Sequence, residues 1–319
     1  MLCPGADSTC PAVSCDAAAE SFQPNHARAR LSSDTVKPER SGSMRARSAC
    51  GVTVFFDAAD PASAELVLGA CEKSIPLIRA CWNLDPSEDV RVYVLTSSWL
   101  RATFHSAPWS WRLLMGVTLP LWAFRVAKLW QVAGGWQQQF GRRRVVAVKP
   151  PWLLAQGSGQ PGDRIFVRED DPCVKVQRIT CHELVHAITA HLGLPPWLHE
   201  GLALCTVDRF AGKPTIRRET LEVLSRAAAG PRRARRWNPQ DLEAITDLYV
   251  RGYWRTRYLE ETRPGLLPRL LDRRRSHDDL EREIASACGR ECRAFWGEVD
   301  GEAAAHFVGR AHETPRAAD

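Results

Sequence analysis

The stretch His182-Glu183-Leu184-Val185-His186 holds the most readily usable chemistry in this 319-residue chain. Two imidazoles four residues apart share one face of a helix, a single turn apart. As neutral rings they can bind one Zn²⁺ at about 2.0–2.1 Å each. Glu183, about 100° round the helix from His182, can reach a water in an open coordination position. Those parts suffice for metal-assisted hydrolysis. The pentapeptide specifies only three positions, and a surface helix with a His-Glu-His face satisfies it equally. Context separates the two readings. Apolar residues at Val174, Val176, Ile179, Leu184, Val185, Ile188 and Leu192 predict a largely buried helix over about 174–192. A buried helix seldom carries two histidines and a glutamate without partners. Gly193 is the stop signal, and Pro195-Pro196 forbid continuation.

A second helix is expected to begin at Pro196 or Trp197, with Glu200 in its first turn. After His186 the chain runs on for about two turns, reverses at Gly193-Leu194-Pro195 and returns. That path can bring the Glu200 carboxylate back to the imidazoles, giving two His and one Glu with a fourth position open to water. Alternatively, Glu200 is an N-terminal helix carboxylate favoured by the macrodipole.

The segment HELVHAITAHLGLPPWLHEGLA resembles the HExxH…W-L-x-E-G-x-A core of peptidase-MA-like, gluzincin-type metallopeptidase domains. The likeness covers about 51–300, with a gap at 105–145. Gly51–Asp57 is similar to the opening strand, 62–82 to the next helix, Val90–Leu95 to the second strand, and Tyr249–Leu271 to a downstream helical pair. The resemblance implies a zincin-like fold and one Zn²⁺ held by His182, His186 and Glu200. It also implies Glu183 as general base and a peptide or protein as substrate. An edge strand above the metal helix would bind extended substrate through its backbone, and Asp163–Arg168 is the expected strand. Such enzymes often supply a Tyr or His to the oxyanion. Tyr253 is the first candidate; Tyr249 shares its helix face, Tyr258 lies roughly opposite, and His191 and His199 are alternative donors. Thermolysin-type members carry Asn immediately before the Glu ligand and Asp four residues after it. Here those positions hold His199 and Leu204, which leaves Asp208 as the candidate partner of a ligand histidine.

The elements around the motif read as α+β. Residues 1–49 mix Pro, Ser, Asp and Arg without period and are expected to be a disordered leader. Residues 50–300 form the metallopeptidase-like domain, and 301–319 a flexible tail. Val52, Val54 and Phe56 share one strand face; 62–82 has helical periodicity; Val90–Thr96, Val145–Val148 and Ile165–Val167 are further strands. From 172 onward the chain is mostly helical, with C-terminal helices at about 240–262 and 264–298. A small N-terminal mixed sheet with helices, the HExxH helix, and a mostly helical second half suit a zincin-like arrangement.

Residues 105–142 form a Trp-rich apolar insertion with five of the twelve tryptophans, at 109, 111, 122, 130 and 136. Its uncharged stretch Leu113–Phe124 is 12 residues long, short of the roughly 20 that cross a bilayer. Three readings fit: peripheral membrane contact through 105–136, a lid over the metal cleft, or a packed insertion.

Net charge is +6, with arginines clustered at 142–144, 232–236 and 273–275. These read as solvated faces, and without aromatic-basic interleaving no nucleic-acid partner is expected. Eleven cysteines without a C-x-x-C pair make a zinc ribbon unlikely. No positive segment followed by an apolar run opens the chain, so the expected compartment is the cytoplasm. The alternative function is a non-catalytic zinc-binding or membrane-peripheral scaffold of the same fold. A closed structural zinc site needs a fourth protein ligand, and His199 is the nearest spare imidazole.

Overall fold

Strict alternation builds the first layer. Val52, Val54 and Phe56 are buried while Thr53, Phe55 and Asp57 are only partly so, because successive strand residues face opposite sides. The computed structural model describes residues 44–86, 89–95, 107–118, 133–155, 164–227 and 242–309. Strands β1 (Met44–Ala49), β2 (Val52–Asp57), β3 (Val90–Val94), β4 (Gly135–Phe140) and β5 (Arg143–Val148) form one sheet of order β1-β2-β3-β5-β4. The three inner strands are parallel, and each outer strand is antiparallel to its neighbour. Two short turns make the hairpins. Cys50 and Gly51 both take left-handed φ (51° and 80°) between β1 and β2, the conformation a two-residue hairpin requires.

Helix α1 (Pro61–Trp82) crosses from β2 to the parallel β3. Asp60 starts it, its carboxylate accepting the Ser63 N–H at 3.1 Å, with Pro61 in the first helical position. Helical residues 109–118 (α2) lie on the other side of the sheet, where Met115 packs with Tyr93, Phe140 and Val145. The remaining helices are α3 (Pro151–Ala155), α4 (Pro172–Thr189), α5 (Pro196–Ala211), α6 (Leu221–Ala227), α7 (Leu242–Thr262), α8 (Leu266–Leu270), α9 (His277–Ala287) and α10 (Cys292–Gly309). The main core joins the inner faces of β2, β3 and β5 to α1, α4, α5, α7 and α10. The class is α+β. Among the described residues no helix is long and apolar enough to cross a membrane.

Several boundaries differ from expectation. The sheet begins at Met44, inside the segment read as leader, because 44–49 pair in register with β2; residues 1–43 lie outside the described ones. The final part of the Trp-rich segment is not an insertion but edge strand β4, hydrogen-bonded to β5; 119–132, with Trp122 and Trp130, lie outside the described residues. Ile165–Val167 joins no sheet, and Phe166 makes an isolated bridge to Ile216. The helix expected over 264–298 is broken into α8, α9 and the start of α10. Left-handed Gly265 and Gly289 (φ 76° and 73°) and the Ser276 cap interrupt it. The expected tail is helical through Gly309, since Val299, Ala303 and Phe307 recur at helical spacing and are buried.

Candidate metal centre

Helix α4 is capped by Asp171, whose carboxylate accepts the Cys173 N–H at 2.7 Å, and Pro172 opens its first turn. The helix is covered on several sides, so Glu183, Leu184, Val185 and His186 are all buried. His182 and His186 sit one turn apart on one face, with their Nε2 atoms 2.9 Å from each other. After Thr189 a 3₁₀ turn, Ala190–Leu192, ends at left-handed Gly193 (φ 61°), and Pro196 opens α5. This reversal delivers Glu200 to the two imidazoles. Its Oε2 lies 3.4 Å from His182 Nε2 and 3.5 Å from His186 Nε2. Four ligands at about 2.0–2.1 Å in a tetrahedron stand about 3.3 Å from one another, so the carboxylate-to-imidazole gaps match such an edge. Among the described residues, these three are the group of His, Cys, Asp or Glu side chains whose ligand atoms converge within 4.8 Å.

Tyr249 shares a side-chain hydrogen bond with Glu200, yet two polar atoms of the group lack hydrogen-bond partners. Glu200 Oε2 is buried and accepts no hydrogen bond, and His186 Nδ1 is likewise buried without one. An unpaired buried carboxylate oxygen is costly, and a cation between it and two imidazole nitrogens removes the cost. Two nitrogens and one oxygen suit zinc. The electrostatics agree. Burial pushes the Glu200 carboxyl up, but His186 and His182 outweigh it and hold the group well below the usual carboxylate range. Burial pushes His186 down, and the Glu200 charge more than reverses it. Burial raises the Glu183 carboxyl, against the opposing pull of His182 and His186.

Glu183 points elsewhere on α4, and no hydrogen bond reaches its carboxylate among the described residues. The start of β4 lies directly over it. A Cβ added at Gly135 would stand 2.7 Å from Ile179 Cγ2, 3.0 Å from the Ala147 carbonyl and 3.1 Å from Glu183 Cγ. Only glycine lets this edge strand rest on the helix.

Of the two tyrosines on one face of α7, the structure brings Tyr249 to the site and not Tyr253. The Tyr249 ring stacks on His182, centroids 6.3 Å apart and planes 12° from parallel. Burial first, then the Glu200 and Glu183 charges, push its phenol well above the ordinary range, so it stays a donor. Tyr253, the first-choice oxyanion donor, is committed elsewhere: its hydroxyl donates to Asp208 Oδ2 at 2.6 Å and accepts from Arg257 at 2.8 Å. Helices α5 and α7 run side by side in the same direction, so the turn after Tyr249 meets the turn of α5 that carries Asp208. Asp208 also accepts the Thr215 N–H, and so it does not orient a ligand histidine.

His199 is no fourth ligand. Its ring packs on His186, centroids 4.1 Å apart, with Nε2 3.4 Å from the His186 carbonyl. Burial pushes its imidazole down to about 3. His191 bonds locally to the Ile188 carbonyl, and the Tyr258 hydroxyl donates to Glu302. Strand β4 is the element over the site that periodicity did not reveal. Its signals were the Gly134-Gly135 doublet and the two-residue turn Gly141-Arg142 ahead of a recognised strand. No protein-family model matches this chain, and no curated protein matches it in sequence.

Proposed function

We propose that this chain is a zinc-dependent, gluzincin-type hydrolase of peptide or amide bonds, built on a zincin-like fold. The observation that carries the reading is the buried, unpartnered Glu200 Oε2 facing the Nε2 atoms of His182 and His186 at 3.4 and 3.5 Å. Those three residues would hold the metal. Zinc in such a set supplies Lewis acidity, lowering the pKa of a water toward about 7 and polarising a carbonyl.

The chain's own groups do the rest. Glu183 takes a proton from the attacking water at a carboxylate oxygen and returns it to the leaving nitrogen. Its freedom from hydrogen bonds leaves both oxygens available. Tyr249, protonated and stacked on His182, is the donor placed to steady the developing oxyanion. Edge strand β4 pairs with β5 alone among the described residues. Its other edge offers backbone donors and acceptors to an extended peptide running past Glu183, which favours a peptide substrate. His199 is turned to the His186 carbonyl and would not serve as a fourth ligand, which favours an enzyme over a closed structural site.

One assay tests this. Hydrolysis of a mixed peptide library should vanish with a chelator and return with Zn²⁺. Tyr249→Phe should cut kcat by about 10- to 100-fold. Tyr253→Phe should leave kcat near wild type while lowering stability by about 1–3 kcal/mol, because it strips a buried hydrogen bond from Asp208. Activity indifferent to chelation, or the reverse ranking of the two tyrosines, would overturn the assignment.

A further inference from the structure

Helix α2 turns an apolar face to solvent. Trp109, Leu113 and Val117, spaced four residues apart, are 75, 62 and 81 % exposed, and Leu114 lies beside them. The packing is done by the other side of the helix: Met115 is buried in the cluster with Tyr93 and Val145, and Trp111 stands edge-on to Phe140 at 5.7 Å. A helix with one face on a sheet normally shows a polar face to water. Between Trp109 and Thr118 the only charged residue is Arg112. A continuous exposed apolar patch of this kind marks a contact surface.

The charge around the patch indicates what it contacts. Among the described residues, every charged side chain from Val90 to Ala155 is basic. The turn that follows Phe140 carries exposed Arg142. Arg91 and Arg143, on the sheet face that α2 covers, share the single carboxylate of Asp89. An apolar stripe that opens with tryptophan and carries Arg112, beside exposed Arg142 and two arginines that share one carboxylate, complements an anionic lipid surface. Leucine and valine enter the acyl boundary, the indole sits at headgroup level, and guanidiniums meet phosphates. No described helix is long and apolar enough to cross the bilayer, so the contact is peripheral.

We infer that α2 docks this protein on an anionic membrane surface through Trp109, Leu113, Leu114 and Val117. The helix lies on the sheet face opposite α4, so the docked protein keeps the His182, His186 and Glu200 group on the side of the sheet away from the lipid. This inference stands independently of any hydrolytic activity.

The test is co-sedimentation of the full chain with vesicles of phosphatidylcholine alone and of an equal mixture of phosphatidylcholine and phosphatidylglycerol. The protein should partition to the mixed vesicles on the order of tenfold more strongly than to the neutral ones, and salt should release it. The double variant L113E/V117E should lose binding on the order of tenfold or more, with its Tm and its mass in solution unchanged when no vesicles are present. Failure to bind mixed vesicles, or equal binding to both kinds, would overturn the proposal. A lowered Tm of the variant would overturn it too, by showing that the face is covered within the chain. A dimer that the variant splits would do the same by assigning the face to a second copy.

Discussion

Glu183→Gln is expected to keep its zinc and to lose turnover by about 10²–10⁴-fold. The amide has the shape of the carboxylate, so it fills the same space beneath Gly135 and beside Ile179, where β4 rests on α4. It cannot take a proton from water. The proposed metal ligands are untouched, since Glu183 is outside the converging group of His182, His186 and Glu200. The substitution should not destabilise the fold. A buried carboxylate without a hydrogen-bond partner costs free energy, and a neutral isostere lowers that cost. The expected signature is therefore unchanged metal content, unchanged or higher Tm, and collapsed kcat. Wild-type turnover in this variant would remove Glu183 from the base role.

Gly201→Ala should produce the largest stability loss of any single methyl added to this protein. Gly201 follows the proposed ligand Glu200 on α5 and faces Gly252 on α7. A Cβ at 201 would overlap the Thr256 hydroxyl and the Gly252 carbonyl oxygen, and would lie 2.8 Å from the Gly252 carbonyl carbon. A Cβ at 252 would overlap the Trp197 carbonyl and lie 3.2 Å from the Gly201 nitrogen. The two helices meet backbone to backbone, so no side chain can swing away. Overpacking costs about 1–3 kcal/mol where side chains can adjust, and here about 3 kcal/mol or more is expected. In a chain of this size that lowers Tm by roughly 6 °C or more. Because Glu200 is the preceding residue, zinc affinity should fall with it. Gly212→Ala is the control. Gly212 caps α5 at φ 66° with open space around its Cα, and its replacement should cost only about 1 kcal/mol. Thermal melts of the two variants decide the point: equal shifts would contradict the close α5–α7 crossing.

The contrast between the helices and the sheet edge shows which physics a sequence displays. Helices α1, α4 and α5 were legible because local chemistry announces their ends. Asp60-Pro61, Asp171-Pro172 and Pro195-Pro196 start them, and Gly193 and Gly212 stop the last two. The convergence of His182, His186 and Glu200 was legible because Gly193 and the two prolines confine the chain to one tight reversal. Strand β4 was not, since Gly135–Phe140 holds three glutamines and no β-branched residue. It is a strand because β5 and the hairpin turn impose it, which is tertiary override of weak propensity. The choice between Tyr249 and Tyr253 was beyond periodicity for a similar reason. Both occupy one face of α7, and only the alignment of α7 with α5 sends one to His182 and the other to Asp208.

X-ray absorption at the zinc edge, on purified protein loaded with zinc and freed of excess metal, tests the central claim most directly. The proposed site predicts one zinc per chain with only nitrogen and oxygen neighbours at about 2.0–2.1 Å, two of them imidazoles. Glu200→Ala should weaken retention of that zinc through dialysis. A sulfur shell at about 2.3 Å, which would place the metal on the chain's cysteines, would contradict the account. So would a chain that holds no zinc, or one whose zinc content and spectrum are unchanged in Glu200→Ala.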